Sequence, residues 1–228
     1  LGDASLRDKS AVGAPDVAAE YAQTIYAAID PGMSGGLGAI FPDGSCFVLS
    51  TPVAVARTKY ARAKTKAGKT KYSIKRTYIA SRMLKVLEQL KRVAKTQACN
   101  LVVGIEFQSA RPTDGKPQLM ALGIGYGRWL QTLELLFGKD YKLIVPGVWK
   151  PRYLNTGAPK LDSVILARQL FAGVSLKNAE DGKAEALLMA DYLRRRASGE
   201  AYPRMPSLGR KGPARKKVRP RRKAKLFR

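Results

Sequence analysis

Residues 25–40 (IYAAIDPGMSGGLGAI) constrain the fold most, because two apolar runs flank an acidic residue and a glycine-rich turn. The first run has the length and composition of a buried strand, and it ends at Asp30. Pro31 and Gly32 interrupt that strand, and the glycines of the turn allow close approach because they carry no Cβ atom. A carboxylate at such a strand end is a candidate metal ligand.

The hydrophobic pattern along the chain predicts a mixed sheet with helices. We expect strands at 25–30, 36–41, 45–53, 101–106 and 142–146, and helices at 77–97, about 117–137, about 160–171 and about 180–197. Three antiparallel strands followed by alternating helices and parallel strands indicate an α/β fold. We therefore predict a ribonuclease-H-like domain, with a mixed five-stranded sheet flanked by helices.

The positive charge of the chain is concentrated in two blocks. The formal net charge is +25, and residues 57–76 contain nine Lys/Arg and residues 203–228 contain twelve, with no acid in either block. Such blocks favour polyanions, because their binding releases condensed counterions. We predict a flexible N-terminal arm at 1–24, one domain at 25–200 with a basic insertion at 57–76, and a disordered basic tail at 201–228. A hairpin, a helix and disorder are all open for the insertion.

The composition excludes several kinds of chemistry. The chain has no histidine, which removes serine–histidine, cysteine–histidine and zinc–histidine sites. No apolar run approaches the roughly 18 residues of a membrane span, so no membrane partner is expected. Acid–base or metal chemistry must therefore use carboxylates, lysine or water.

Three further acids are predicted near Asp30. Glu106 ends the apolar run 101–106, and parallel neighbouring strands bring their carboxyl ends together at the edge where α/β sheets bind ligands. Asp181 and Glu185 lie four apart near the start of the last helix, on nearly the same face. Three of the four acids have an alternative role: Asp30 and Glu106 as turn caps, and Asp181 as a favourable charge at a helix N-terminus. Glu185 is the strongest candidate on its helix, because it interrupts an otherwise apolar face. Asp191, deeper in that helix, is expected to face solvent or to form a pair.

Three segments together resemble the RuvC group of Holliday junction resolvases, and most of all the plant and algal chloroplast resolvases (the monokaryotic chloroplast group). They are DPGMSGG after the first strand, Glu106 at the end of the fourth, and DGKAEALLMA in the last helix; GKPQLMALGIGYGRWLQTL and VPGVWKPRYL support the likeness. The resemblance covers about residues 25–197.

This resemblance implies a homodimeric, Mg²⁺-dependent endonuclease that nicks two strands of four-way junction DNA symmetrically. Asp30, Glu106 and Glu185 match metal ligands of the family, and Asp181 is the expected fourth; some relatives have a histidine there. Mn²⁺ is expected to substitute for Mg²⁺. A plastid location is also implied, with no transit peptide expected within this chain.

The residues themselves suggest where DNA would be held. Cations on loops at the predicted ligand edge could bind phosphates, and Phe107 could stack on a base or belong to the core. The candidates for DNA binding are Phe107, Lys116, Lys150, Arg152, Lys160 and Lys183. Trp149 is expected to pack in the core. The alternative function is a non-catalytic nucleic-acid-binding protein, associated with a nucleoid or with RNA, on the same fold.

Overall fold

The structure is a computed structural model that describes residues 23–64, 70–110 and 115–204. For residues 58–64 and 70–74 and for Lys116, it describes the backbone alone. The expected N-terminal arm therefore lies outside the described residues except for 23–24, and the expected basic tail does so except for 201–204.

Seven strands and five helices make up the described part of the chain. The strands are β1 (Thr24–Asp30), β2 (Gly36–Ile40), β3 (Cys46–Ser50), β4 (Val53–Lys64), β5 (Thr70–Tyr78), β6 (Asn100–Glu106) and β7 (Lys142–Ile144). The helices are α1 (Ala80–Thr96), α2 (Lys116–Phe137), α3 (Pro146–Tyr153), α4 (Lys160–Leu170) and α5 (Asp181–Ser198). No helix among the described residues is long and apolar enough to cross a membrane.

The central sheet has the order β3-β2-β1-β6-β7. β2 runs antiparallel to β1 and β3, whereas β6 runs parallel to both β1 and β7. This is the ribonuclease-H-like arrangement that the sequence predicts, with a mixed five-stranded sheet flanked by helices.

Side-chain alternation along β1 explains how the sheet is covered on both faces. Tyr26 and Ala28 belong to a core that includes residues of α3, α4 and α5. Ile25, Ala27 and Ile29 point the other way, into a second core with residues of α1 and α2. Because β1 is apolar on both faces, it lies in the centre of the sheet, and Asp30 comes where that burial ends.

The described parts of the basic insertion belong to a two-stranded antiparallel ribbon. β4 pairs with β5 from Val53 opposite Tyr78 onwards, with an irregularity between Lys59 and Lys64. The predicted strand 45–53 is wrong in its extent, because β3 ends at Ser50 and Val53 begins β4. Pro52 lacks the N–H that a continuous strand would need there.

Two other boundaries differ from the sequence prediction. The first helix begins at Ala80 rather than at 77, because Tyr78 still belongs to β5. The strand predicted to reach 146 ends at Ile144, and the segment expected to be a loop is helix α3. Its first residue is Pro146. Proline suits this position because an N–H there would have no intrahelical partner, so its absence costs no hydrogen bond. Lys150 and Arg152, expected on a loop, therefore lie on α3, and Lys116 and Lys160 begin α2 and α4.

Glycines allow α5 to lie directly on the β1–β2 hairpin. A Cβ atom at Gly38 of β2 would be 2.5 Å from the backbone nitrogen of Leu187. A Cβ atom at Gly182 would clash with the Ser34 carbonyl oxygen and lie 2.5 Å from the Cα of Gly35. This contact places the first turn of α5 beside Asp30.

We predict that Gly182→Ala destabilises the protein by roughly 1–3 kcal/mol, because the added methyl group cannot fit against the Ser34–Gly35 backbone. Urea denaturation measures the change. Gly147→Ala is the matched control, since Gly147 is also helical but a Cβ there has no neighbour within 4 Å. The control should be neutral or stabilising by up to about 1 kcal/mol. Equal effects of the two substitutions would contradict this account of the packing.

Candidate active site

Asp30 and Glu106 lie side by side at one edge of the sheet. β1 and β6 are parallel neighbours, and Ile29 is in register with Ile105. The next residue of each strand is the acid, so both carboxylates lie at the carboxyl ends of adjacent strands. The sequence-based prediction that these strands are neighbours is confirmed.

Helix α5 brings two more acids to the same place. A cavity of about 560 Å³ is lined by acids from two elements and by cations from two others: Asp30, Asp181, Glu185, Lys150 and Lys160. Glu106 lines an adjoining cavity of about 200 Å³, and Lys150 lines both. Hence all four predicted acids lie around one region, contributed by β1, β6 and the first turns of α5.

Two lysines are paired with three of these acids. The Lys150 Nζ atom is 2.7 Å from Glu185 Oε2 and 3.6 Å from Glu106 Oε1. The Lys160 Nζ atom donates to Asp181 Oδ2 at 2.6 Å. Predicted as phosphate-binding cations, both lysines contact carboxylates in this structure.

Glu106 is held firmly by two further donors. The Trp149 indole Nε1 donates to Glu106 Oε1 at 3.0 Å, and the Gln108 Nε2 donates to Glu106 Oε2 at 2.9 Å. Trp149 is fully buried, which confirms the prediction that it packs in the core. Its contact with Glu106 was not predicted, because no sequence pattern relates two residues that are 43 positions apart.

Burial and neighbouring negative charges disfavour the ionised forms of Asp30 and Glu185. The pKa of Asp30 is raised to about 7, chiefly by burial; the Gly32 N–H and Lys150 oppose the rise, and the charges of Glu106 and Glu185 add to it. The Gly32 N–H donates to Asp30 Oδ1 at 3.1 Å. Burial also raises the pKa of Glu185, against the opposing effect of Lys150. The region therefore favours additional positive charge.

Burial disfavours the charged form of Lys150, but Glu185, Glu106 and Asp30 outweigh it and raise the pKa of this ammonium. Lys150 is therefore charged at neutral pH. The pKa of Lys160 is also raised, mainly by its hydrogen bond to Asp181.

The donor set fits a hard divalent cation. Carboxylate oxygens are the ligands that Mg²⁺ and Mn²⁺ prefer, and mutual repulsion of the acids supplies a reason to bind one. Among the residues that the structure describes, no three acidic, histidine or cysteine side chains are already arranged as a metal site. The assignment of Asp30, Glu106, Asp181 and Glu185 as metal ligands stays a prediction.

The other candidates for DNA binding occupy different surroundings. Phe107 is exposed, in edge-to-face contact with Tyr126, so it is not a core residue. Arg152 lies over the Tyr202 ring, 4.7 Å from its centre. Lys183 pairs with Glu180 at 2.8 Å. The side chain of Lys116 lies outside the described residues.

Asp191 is buried, so the expectation that it faces solvent is wrong and the alternative of a pairing residue is correct. It accepts hydrogen bonds from the Tyr153 hydroxyl at 2.9 Å and from the guanidinium groups of Arg194 and Arg195. The Tyr153 hydrogen bond joins the later part of α5 to α3, whereas the two arginine contacts lie within α5. They complete a scaffold in which α3 carries Lys150 and α5 carries Glu185.

Comparison with known proteins gives a likeness to solved structures alone. No protein-family model and no curated protein matches the sequence. Thermus thermophilus RuvC in complex with Holliday junction substrate is 18% identical, with a TM-score of 0.44 and coverage of 75% of this chain and 95% of that one.

A second Thermus thermophilus RuvC structure is 19% identical, with a TM-score of 0.40 and coverage of 78% and 99%. The yeast mitochondrial Holliday junction resolvase Ydc2 is 13% identical, with a TM-score of 0.37 and coverage of 77% and 79%. Because these identities and scores are low, the function proposed below rests on the geometry of the site.

The raised pKa of Asp30 predicts a specific dependence of stability on pH. In metal-free buffer, the unfolded chain loses the Asp30 proton near pH 4 and the folded protein near pH 7, so the parent loses stability as the pH rises between these values. Asp30→Asn removes this loss. We expect the variant to gain roughly 2–4 kcal/mol relative to the parent between pH 4 and pH 8, measured by urea denaturation.

Asp43→Asn is the control with the opposite sign. The Ser45 side chain and backbone N–H hold the pKa of exposed Asp43 below its usual value, so its ionised form stabilises the fold above about pH 4. The control should therefore lose relative stability as the pH rises. If the free energies of unfolding of Asp30→Asn and the parent differed by the same amount at all pH values, ionisation of Asp30 would not destabilise the fold.

Proposed function

We propose that the protein is a metal-dependent DNA endonuclease that resolves four-way junctions. The observation that carries the proposal is the gathering of Asp30, Glu106, Asp181 and Glu185 around one region, where β1, β6 and α5 meet. Such a cluster of oxygen donors inside a chain of net charge +25 combines an affinity for divalent cations with an affinity for polyanions. Hydrolysis of a phosphodiester bond requires both.

The four acids would hold Mg²⁺ or Mn²⁺. A divalent ion there supplies a Lewis acid for the phosphoryl oxygen and lowers the pKa of a bound water. The protein's own part is orientation: Trp149 and Gln108 fix both oxygens of Glu106, and the Gly32 N–H fixes Asp30. Lys150 and Lys160 line the same cavity and supply ammonium groups for the negative charge of a phosphate.

The basic ribbon begins directly beside these acids. The Tyr78 hydroxyl at the end of β5 donates to the Pro31 carbonyl at 3.4 Å, and the Thr51 hydroxyl, just before β4, donates to the Asp30 carbonyl at 3.5 Å. The segment 57–76 has nine Lys/Arg and no acid. The base of a strongly basic ribbon therefore lies beside the backbone of Asp30 and Pro31, which supports a polyanion such as a nucleic acid as the substrate.

A homodimer is part of the proposal, since paired symmetric nicks require two sites. An exposed apolar face of α2 supports self-association. Met120 and Ile124 are exposed one turn apart, and a Cβ atom at Gly123 or Gly127 would have no neighbour within 4 Å. The likeness of the motifs to chloroplast resolvases supports a plastid location as a further proposal.

We expect the parent to nick two opposed strands of a synthetic four-way junction with Mg²⁺, and to leave a matched linear duplex uncut. Glu106→Gln and Asp30→Asn should each lower the cleavage rate at least about a hundredfold, because each removes an oxygen donor. Both should bind the junction at least as tightly as the parent, since each removes a negative charge. Gel electrophoresis of strands labelled in turn gives the rate and the pairing of nicks.

Asp140→Asn is the matched control, because Asp140 is an exposed acid paired with Lys142 away from the cavity of Asp30. It should cleave at the parent's rate. If Glu106→Gln and Asp30→Asn cleaved at the parent's rate, these two acids would have no part in the reaction. Unpaired nicks would contradict the dimer.

The pairing of lysines with the acids favours a second candidate, a non-catalytic nucleic-acid-binding protein. In that case Lys150 and Lys160 neutralise the acids permanently, and the basic ribbon alone explains binding. The same experiment decides, since this candidate predicts junction or RNA binding without a nick in Mg²⁺ or Mn²⁺.

A further inference from the structure

We propose that Lys150 is an internal counter-ion that competes with the divalent cation for Glu185 and Glu106, and that cation binding displaces it. The inference rests on the proposed function in one respect, that these acids bind a divalent cation. It goes further by assigning to Lys150 the control of how tightly they do so.

The first argument is the position of the ammonium group. Lys150 Nζ lies between two carboxylates that belong to different elements, 2.7 Å from Glu185 Oε2 and 3.6 Å from Glu106 Oε1. These are oxygens that a shared metal ion would use. Since two cations repel at such distances, the ammonium and a divalent ion cannot both occupy this place.

The second argument is that burial leaves the Glu106 and Glu185 carboxylates few possible partners. The Glu106 and Glu185 side chains are only 7% and 15% exposed, so water cannot replace a lost cation easily. Lys150 is itself 37% exposed and its ammonium lies 5.3 Å from the centre of the Trp149 ring. A partly buried cation with two acidic partners competes more strongly than an exposed one.

Lys160 shows the contrast. It also donates to a candidate ligand, Asp181, but its side chain is 81% exposed. The contrast lies in the lysine, since Asp181 is only 17% exposed, and water solvates the exposed Lys160 ammonium once it is released. Competition with the cation is therefore assigned to Lys150 rather than to both lysines.

The third argument is that two cavities offer space for a displaced Lys150 side chain. Lys150 lines both the 560 Å³ cavity and the 200 Å³ cavity. Phe107 and Gln108 also line the smaller one. A released ammonium there is available to an anion such as a DNA phosphate. Because coupling between sites is reciprocal, an anion that holds Lys150 away from the acids raises the affinity for the cation.

The test is a titration of the DNA-free protein with Mn²⁺ alone, by calorimetry and by the shift in melting temperature. We expect Lys150→Met to bind Mn²⁺ about tenfold more tightly than the parent, because no ammonium has to be displaced. Lys150→Arg keeps the charge and should remain close to the parent. Asp30→Asn should lose the binding in either background.

Lys91→Met is the matched control for loss of one positive charge. The Lys91 ammonium is also held by an oxygen, the Leu136 carbonyl at 2.6 Å, but it contacts none of the four acids. Its Mn²⁺ affinity should stay within about twofold of the parent's, since solvent and salt screen distant charges.

Lys150→Gln is the second variant, to be used where Lys150→Met does not fold without metal. Its amide can still donate to Glu185, and it should also bind Mn²⁺ more tightly. Unchanged or weaker Mn²⁺ binding in both Lys150→Met and Lys150→Gln, or no binding in any protein, would overturn the inference. Tighter binding in Lys150→Met without junction cleavage by the parent would support the inference and refute the proposed nuclease.

Discussion

Mutual repulsion of carboxylates at one end of the sheet is the constraint around which this structure is organised. Asp30, Glu106 and Glu185 come from three elements, and burial together with their charges raises the pKa of Asp30 to about 7. Packing forces them together nonetheless, because α5 lies on the β1–β2 hairpin through Gly38 and Gly182. The free energy of core packing therefore sustains an arrangement that electrostatics opposes.

The structure offsets this repulsion by donors placed around the acids. Trp149 and Lys150, adjacent on α3, approach Glu106 from one side, and the Gly32 N–H approaches Asp30 from another. Helix α3 is in turn fixed to α5 by Tyr153 and Asp191. Neutral donors therefore hold Glu106 and Asp30, whereas Lys150 is a partly exposed charged partner. This difference agrees with the proposal that a cation replaces Lys150.

The arrangement of charge also separates two tasks. The ribbon β4–β5 includes most of the basic segment 57–76, and its base lies where Thr51 and Tyr78 contact the backbone of Asp30 and Pro31. In the function proposed above, the ribbon would supply the long-range attraction of a polyanion, and the acids would act only at short range. The proposed cleavage of DNA needs this division, because acids alone would repel the DNA.

Sequence reasoning recovered the parts of this structure that depend on local pattern. Apolar runs ending in Asp30 and Glu106 were sufficient to place both acids at one sheet edge, because parallel neighbours align their carboxyl ends. Helix α3 was missed, since Pro146 and Pro151 in eight residues are typical of a loop. The contacts of Lys150 with Glu185 and of Tyr153 with Asp191 join residues distant in the chain, and no periodicity reports them. The pairs of Asp191 with Arg194 and Arg195, in contrast, follow the i,i+3 and i,i+4 spacing of a helix. The identity of the ligand set is not tested by the fold, because distances between side chains, rather than strand order, decide it.

The central claim is that Asp30, Glu106 and Glu185 form one cation site, and that the Lys150 ammonium occupies it when no metal ion is bound. An anomalous difference map from crystals soaked in Mn²⁺ tests it directly. The account predicts a peak bound by oxygens of Asp30, Glu106 and Glu185, with the Lys150 ammonium moved out of hydrogen-bond distance of Glu185. Saturating Mn²⁺ that leaves no peak there, with Lys150 still between Glu106 and Glu185, would contradict it.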